Sequence, residues 1–360
     1  MSDVFESVAI VLPSLDPDEK FVGVVDGLVS SGFRHIIIVD DGSDVEHKKP
    51  FEYASQFPQC TILVHDVNKG KGRALKDAFL YVSQNLPKLE GVITIDGDGQ
   101  HLIGDIINCG RVMLQNKDKV VLGSRDFNQE GVPVRSVAGN KTTAKLFRLL
   151  FGIQINDTQT GLRAIPRQYL ADFSQILGER FEYETNMLLQ MKRSKIDFIE
   201  EKIETVYDPD DYSSHYDGFK DSMKIAKVML SFLLTGSGFK YAVSAVLSVL
   251  ADNGLFYLLT VLFGVGKQLV LQPISTFLSS VLNFHLNKYW VFQSKGNYRK
   301  ELLQYYSIFF PRTLISIFLT HFLLQNLAVT ASGLATAIKM IVDFALFVIV
   351  YFLQKRWVFK

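Results

Sequence analysis

The chain has 360 residues, with 38 basic and 37 acidic side chains, a formal charge of +1 and 48 % hydrophobic residues. A near-neutral balance excludes a protein that holds nucleic acid or another polyanion by bulk charge, and the length allows two domains. Two cysteines, Cys60 and Cys109, build neither a disulfide framework nor a zinc site and fit a reducing compartment.

Residues 1–7 carry Asp3 and Glu6 and no basic stretch, so no cleavable signal peptide is expected and the N-terminal part should stay in the cytosol. Val8 to Leu12, closed by Pro13, reads as a buried first strand. Asp18 to Val29 sets Phe21, Val24, Val25 and Leu28 at helical spacing, and Ser31-Gly32 ends it. His35 to Val39 is a second strand that stops at Asp40-Asp41-Gly42-Ser43-Asp44. Thr61 to His65 is a third, followed by Asn68-Lys69-Gly70-Lys71-Gly72-Arg73 and a helix over Ala74 to Gln84. Gly91 to Ile95 and Val120 to Gly123 are the fourth and fifth strands. Strands alternating with helices imply a mostly parallel α/β sheet covered on both faces. In such sheets ligands bind beyond the carboxyl ends of the strands, where all the polar clusters here fall.

The fourth strand runs into Asp96-Gly97-Asp98-Gly99-Gln100-His101. Two carboxylates one residue apart repel each other and are held together by a cation, typically Mg²⁺ or Mn²⁺ with substrate phosphates completing its shell. A polar turn of Asp and Gly is the plain alternative. Asp40 and Asp41 can accept hydrogen bonds from a ribose or a base, or simply form a turn. The basic, glycine-rich 68–73 loop leads into a helix, so its backbone N–H groups and lysines favour an anion; its spacing is not that of a Walker A loop. Gly123-Ser124-Arg125, with Arg135, Asn140 and Lys141 after it, repeats the pattern of strand then anion donor. A metal, a diphosphate and a second phosphate around one sheet edge describe the transfer of a nucleotide-activated group.

These segments, together with Val11-Leu12-Pro13 and Asp157-Thr158-Gln159-Thr160-Gly161-Leu162-Arg163, stand in the order seen in family-2 glycosyltransferases. Residues 8–225 most resemble the dolichyl- or polyprenyl-phosphate sugar transferases of the dolichyl-phosphate mannose synthase type. The resemblance implies a GT-A, Rossmann-like domain. It implies that Pro13, Asp40, Asp41, Lys71 and Asp96 line the nucleotide-sugar site, and that Asp96, Asp98 and Gln100 hold Mg²⁺ or Mn²⁺. It places Ser124, Arg125 and Arg135 on the acceptor phosphate, with Asp98, Arg125 and Arg135 as the catalytic set. Ser14-Leu15-Asp16 stands where the family often has Tyr-Asn-Glu, which leaves the role of Asp16 and Glu19 open. Phe181-Glu182-Tyr183-Glu184 begins a helix in the family, from which Glu182 or Glu184 reaches the sugar or merely starts the helix. The implied reaction is inverting attack by a lipid phosphate, already ionised near neutral pH because its second pKa is about 6, on the anomeric carbon.

The segment 207–216 reads as a mobile loop. Asp217 to Leu234 is then amphipathic, with Lys220, Lys224 and Lys227 beside a stripe of Phe219, Met223, Ala226 and Leu230, as suits a helix in the headgroup layer. Four apolar segments follow, 240–263, 268–292, 303–325 and 333–354, each long enough to span a bilayer, which needs about 20 residues. Basic residues cluster at one side of them, Lys288, Lys295, Arg299, Lys355 and Arg356 among them, which puts both termini in the cytosol. Asn287-Lys288-Tyr289-Trp290-Val291-Phe292 is echoed by Gln354-Lys355-Arg356-Trp357-Val358-Phe359, so two similar hairpins are expected. This half resembles the GtrA-like four-span domains. Of the ionisable residues inside the spans, Lys339 and Asp343 are expected to neutralise each other, and Arg312 to sit near the acceptor phosphate.

The domains expected are 1–216 (cytosolic catalytic), 217–235 (interface helix) and 236–360 (membrane). The expected protein is a multi-pass plasma-membrane transferase. Its partners are a nucleotide sugar, undecaprenyl or dolichyl phosphate and the bilayer, with no nucleic acid and with room for a homo-oligomer. A flippase for the lipid-linked sugar and a polysaccharide-elongating synthase are the alternatives; the Gln-x-x-Arg-Trp motif of the latter is absent.

Overall fold

The computed structural model describes residues 4–127, 134–204, 218–263, 268–327 and 332–360. The chain divides into two compact units, Met1–Leu230 and Ser231–Lys360.

The first unit holds a seven-stranded sheet. Its strands are β1 (Val8–Ser14), β2 (Ile36–Asp40), β3 (Cys60–Val64), β4 (Gly91–Thr94), β5 (Val120–Arg125), β6 (Arg163–Pro166) and β7 (Phe198–Ile203), in the order β3-β2-β1-β4-β6-β5-β7. The pairs β1–β2, β1–β4, β2–β3 and β5–β7 are parallel, whereas β6 runs antiparallel to both β4 and β5. The five expected strands are present within a residue or two of their expected bounds. Sequence reading missed β6 and β7: β6 is four residues long and contains an arginine and a proline, and Phe198-Ile199-Glu200-Glu201-Lys202-Ile203 has no clean alternation.

Alternate residues of the parallel strands face two different layers, as the two-residue period of a strand requires. Ile10, Leu12, Ile36, Ile38, Ile93 and Ile95 form one buried cluster with α2 (Glu19–Ser30), α3 (Lys49–Ala54) and α5 (Ile103–Gln115). The other face is covered by α4 (Lys71–Asn85) and α7 (Arg167–Ser174), which pack on each other and on β1, β2 and β4. The short α1 (Val4–Ser7) precedes β1; α6 (Val134–Leu146) follows β5, and α8 (Glu182–Ser194) lies between α7 and β7. Helix α9 (Gly218–Thr235) runs past the division between the units. Its Met223 and Leu230 are more than half exposed, so the expected apolar stripe is uncovered. Lys220 and Phe219 have side chains outside the described residues, as does the whole of 207–216.

The second unit consists of long helices: α10 (Ser237–Phe263), α11 (Gln268–His285), α12 (Tyr298–Asn326) and α13 (Ser332–Leu353). Helices α10 and α12 are long and apolar enough to cross a membrane. Side chains such as Leu250, Tyr257, Leu314, Phe318 and Phe344 point outward, and polar ones point inward, which suits apolar surroundings. The two echoed sequence segments both form π-helical turns, Leu286–Val291 after α11 and Gln354–Val358 after α13. They meet: Asn287 Nδ2 donates to Gln354 Oε1 at 3.0 Å, and the rings of Phe292 and Phe359 stack with centroids 5.2 Å apart. Asn287 also accepts from Ser244 at 2.7 Å, tying in α10. Lys288 and Glu301 form a buried ion pair. Asp343 accepts from Ser316 at 2.6 Å and pairs with Arg312 at 3.4 Å. The expected Lys339 partner has its side chain outside the described residues, and the charge that Asp343 meets is that of Arg312.

Candidate active site

The parallel strands deliver their polar ends to one edge of the sheet, and each loop is braced by its neighbours. Pro13 is buried in β1 opposite Val39, and Ser14 O accepts from Asp41 N at 2.9 Å. Asp16, whose role the sequence left open, takes a left-handed backbone (φ 46°) and clamps the next loop. Its N–H donates to Ser43 Oγ, and its carboxylate accepts from Asp44 N, both at 2.9 Å. Glu19 opens α2 behind the N-cap Asp18.

Asp40 and Asp41 are both spent on the protein. Asp40 accepts from Ser43 N at 2.8 Å and from Lys48 Nζ at 2.5 Å. Asp41 accepts from Lys69 N at 2.9 Å, Gly70 N at 2.7 Å and the buried His65 Nδ1 at 2.7 Å, and His65 Nε2 in turn meets Asp77 at 3.1 Å. The pair therefore shapes the glycine loop, and two of that loop's N–H groups are used by Asp41 rather than left for an anion. His65 was read from sequence only as the end of a strand. The signal that could have found it is a histidine at a strand end just ahead of a glycine loop.

The glycine loop is pressed onto the residues before α8. A Cβ on Gly70 would lie 2.4 Å from Glu179 O, and one on Gly72 would lie 2.5 Å from Tyr183 Cβ, so only glycine permits this approach. Arg73 N donates to Glu179 O, and the Glu179 carboxylate accepts from Arg73 Nε and Lys76 Nζ at 2.7 and 2.8 Å. The contact carries Lys71, the first residue of α4, against α8. Lys71 Nζ sits 2.7 Å from Asp96 Oδ1 and 3.0 Å from Glu184 Oε1. Glu182, the other candidate on this helix start, accepts from the N–H groups of Glu179 and Arg180 as a local cap.

Asp96 follows β4, with Ile95 N held on Val11 O at 3.0 Å. Burial alone would raise its pKa, but the ammonium of Lys71 and the His101 ring beside it hold the carboxyl well below the usual range. Burial would likewise lower the Lys71 pKa, and the carboxylates of Asp96 and Glu184 outweigh it and raise it. Asp98 shifts the other way: burial and the negative charge of Asp96 raise its carboxyl, while Gln100 N donates to it at 3.0 Å. His101 Nε2 lies 3.6 Å from Asp96 Oδ2, and neither ring nitrogen of this buried histidine has a hydrogen-bond partner. Among the described residues no three His, Cys, Asp or Glu side chains gather as a metal cage. The polar groups at this strand end are two carboxylates, one of them paired with a lysine ammonium.

Two strands away, Ser124, Arg125, Asp126, Asn140, Lys141 and Lys202 line a cavity of about 450 Å³. Arg125 is gripped by the fully buried Asp157 carboxylate, Nε to Oδ2 at 2.6 Å and Nη2 to Oδ1 at 3.0 Å. Asn140 Oδ1 accepts from Thr158 N, and Glu200 accepts from Asn156 N. Lys202 pairs with Asp126 at 3.2 Å. Arg135 lies at the start of α6, and its side chain is outside the described residues. Asp157 had no assigned role from sequence, although it stands in a segment singled out there.

The 157–162 segment joins the two places. Asp157 at one end holds Arg125. At the other, Thr94 Oγ1 donates to Gly161 O at 2.7 Å, and a Cβ on Gly161 would lie 2.1 Å from Asp96 Oδ2. Behind it the buried Arg163 donates to Thr160 O and Glu184 O.

Residues 24–174 match the model of glycosyl transferase family 2, and residues 240–359 match the GtrA/DPMS transmembrane domain. A UDP-N-acetylglucosamine–dolichyl-phosphate N-acetylglucosaminyltransferase of Methanococcus voltae is 28 % identical over 221 residues, 56 % of this chain and 86 % of that protein. A dolichyl-phosphate beta-glucosyltransferase of Trichomonas vaginalis is 27 % identical over 47 % of this chain and 53 % of its own length. Among solved structures, mannosyl-3-phosphoglycerate synthase from Rubrobacter xylanophilus overlays with a TM-score of 0.47 at 16 % identity, covering 63 % of this chain and 72 % of that one. The chain thus carries a family 2 glycosyltransferase domain in its first half and a GtrA/DPMS transmembrane domain in its second.

Proposed function

We propose that the enzyme moves a sugar from a nucleotide sugar to the phosphate of a polyprenyl-type lipid, with inversion at the anomeric carbon. The observation that carries this reading is the 157–162 segment, which abuts Asp96 with Gly161 and grips Arg125 with Asp157. One short stretch thus ties a seat for a metal diphosphate to a cavity large enough for a phosphate, lined by Arg125, Lys141 and Lys202 together with Asp126 and Glu200. The names of the relatives support a dolichyl-type acceptor, and the fused membrane unit supports delivery from the bilayer.

In this reading Pro13, Asp40, Asp41 and Lys71 build the nucleotide side, with Asp40 and Asp41 acting through the loops they hold. Asp96, Asp98 and the Gln100 amide oxygen would hold Mg²⁺ or Mn²⁺, which when bound supplies Lewis-acid stabilisation of the leaving diphosphate. Ser124, Arg125 and Arg135 receive the acceptor phosphate. The nucleophile is already ionised, so no general base is required, and the chain's work is alignment and charge compensation. Asp157 keeps the Arg125 guanidinium in a set orientation at the edge of the cavity. The four helices of the second unit would all span the plasma membrane, with the catalytic unit and both termini in the cytosol.

The test is transfer from radiolabelled UDP- and GDP-sugars, UDP-N-acetylglucosamine first, to undecaprenyl and dolichyl phosphate. The expected result is a lipid phosphosugar that vanishes with EDTA and returns with Mn²⁺ or Mg²⁺. Asp98→Ala is expected to lose at least about 100-fold in rate, the scale of removing a charge-stabilising group from a transfer site. Full activity in that variant, or preference for a soluble alcohol over any isoprenoid phosphate, would overturn the reading.

A further inference from the structure

Lys71 has two carboxylates for one ammonium, and only one of them belongs to the Asp-x-Asp pair. Its Nζ bridges Asp96 Oδ1 at 2.7 Å and Glu184 Oε1 at 3.0 Å, all three side chains being largely buried. The bridge exists because Gly70 and Gly72 let α4 lie against the start of α8, and Arg163 holds the Glu184 carbonyl from behind. A divalent cation bonds carboxylate oxygen at about 2.0–2.2 Å. On Asp96 Oδ1 it would stand within a few ångström of the ammonium, where two cations repel strongly in a partly buried site. Glu184 offers the ammonium a place to stay without crossing into solvent, a short side-chain rotation from where it is.

Resting on the metal reading above, we propose that Lys71 is the resident counter-ion of Asp96 and Glu184 the berth to which it withdraws when the metal arrives. Lys71 would then leave the Asp96 carboxylate for Glu184 while the donor's diphosphate attracts both cations. Free enzyme binds the metal weakly, and nucleotide diphosphate tightens it. The lysine that neutralised Asp96 becomes a second positive group beside the leaving diphosphate. Glu184 is a positioning residue in this scheme, acting through Lys71.

The experiment is Mn²⁺ binding to the purified full-length chain, read by the electron paramagnetic resonance signal of free Mn²⁺, with and without UDP or GDP. Wild type is expected to bind weakly alone and more tightly with one of the nucleotides. Lys71→Met and Lys71→Gln are expected to tighten nucleotide-free binding roughly tenfold, about the effect of one nearby, partly screened charge, and to shrink the nucleotide's contribution. Glu184→Gln leaves the ammonium to Asp96 alone and is expected to weaken nucleotide-free binding several-fold. The combined Lys71→Met, Glu184→Gln chain should bind like Lys71→Met, because Glu184 acts through the lysine. A simple additive pair, or lysine variants that bind no tighter than wild type, would overturn the exchange. Asp98→Asn separates the two claims: if it binds Mn²⁺ as wild type does, the metal reading itself fails. If it loses binding while the Lys71 and Glu184 effects add, only the exchange fails. Circular dichroism melts on each variant confirm that folded protein is compared.

Discussion

Gly161 illustrates how a single residue separates stability from activity. A side chain there would overlap the Asp96 carboxylate at 2.1 Å, and a carboxylate end can swing aside at little structural cost. Gly161→Ala should therefore unfold within about 1 kcal/mol of wild type, while transfer falls by roughly 100-fold because a small misplacement of a reacting or ligating group is that costly. Thermal melts beside a transfer assay check this; a large loss of stability with proportionate activity would contradict it. The same scale holds the residues that sequence reading left without a role. Asp157, His65 and Asp16 each spend a carboxylate or an imidazole on holding another polar group of the site. Their chemistry is plain from residue type, but what they hold is set by residues 24 to 32 positions away.

At the scale of elements, the junction between α4 and the residues before α8 is the contact that seats Lys71 in the catalytic unit. Glu179 fastens it through Arg73 and Lys76. Burial alone would raise the Glu179 pKa, but the hydrogen bonds from Lys76 and Arg73 prevail and lower it from the ordinary 4.5. A carboxyl with a depressed folded value adds stability that is complete above about pH 4.5 and is lost as pH falls through the lower folded value. The stability gap between wild type and Glu179→Gln should thus be constant near neutrality and close in acid below pH 4.5, as read by urea unfolding at stepped pH. A gap that widens in acid would reverse the sign. Strand β6 is the other element that matters. It enters antiparallel between β4 and β5, and its leading loop, 157–162, becomes the tie between the two halves of the site.

For the whole molecule, the membrane half is built on repetition. Two hairpins end in matching π turns, and those turns meet through Asn287, Gln354 and the stacked Phe292 and Phe359. The basic residues gathered near these ends are expected on the cytosolic side. Inside-out membrane vesicles should therefore accept externally added nucleotide sugar directly, whereas right-side-out vesicles should need permeabilisation. Direct activity in intact right-side-out vesicles, with inside-out vesicles needing permeabilisation, would place the catalytic unit on the other side.

The strands, the polar clusters at their ends and the order of the motifs were legible in the sequence because each depends on local physics. Buried strands are apolar runs, turns need Gly and Asp, and a helix start favours particular residues. The echo of Asn-Lys-Tyr-Trp-Val-Phe in Gln-Lys-Arg-Trp-Val-Phe was legible too, as repetition, but not as contact. Only the tertiary structure revealed which charge answers which: Lys71 with Glu184, Arg125 with Asp157, Asp343 with Arg312. It alone set β6 antiparallel in the middle of the sheet. Residue type fixes what a side chain can offer, whereas its partner is chosen by which distant backbones are allowed to approach, and for Lys71 that choice rests on glycines at 70 and 72.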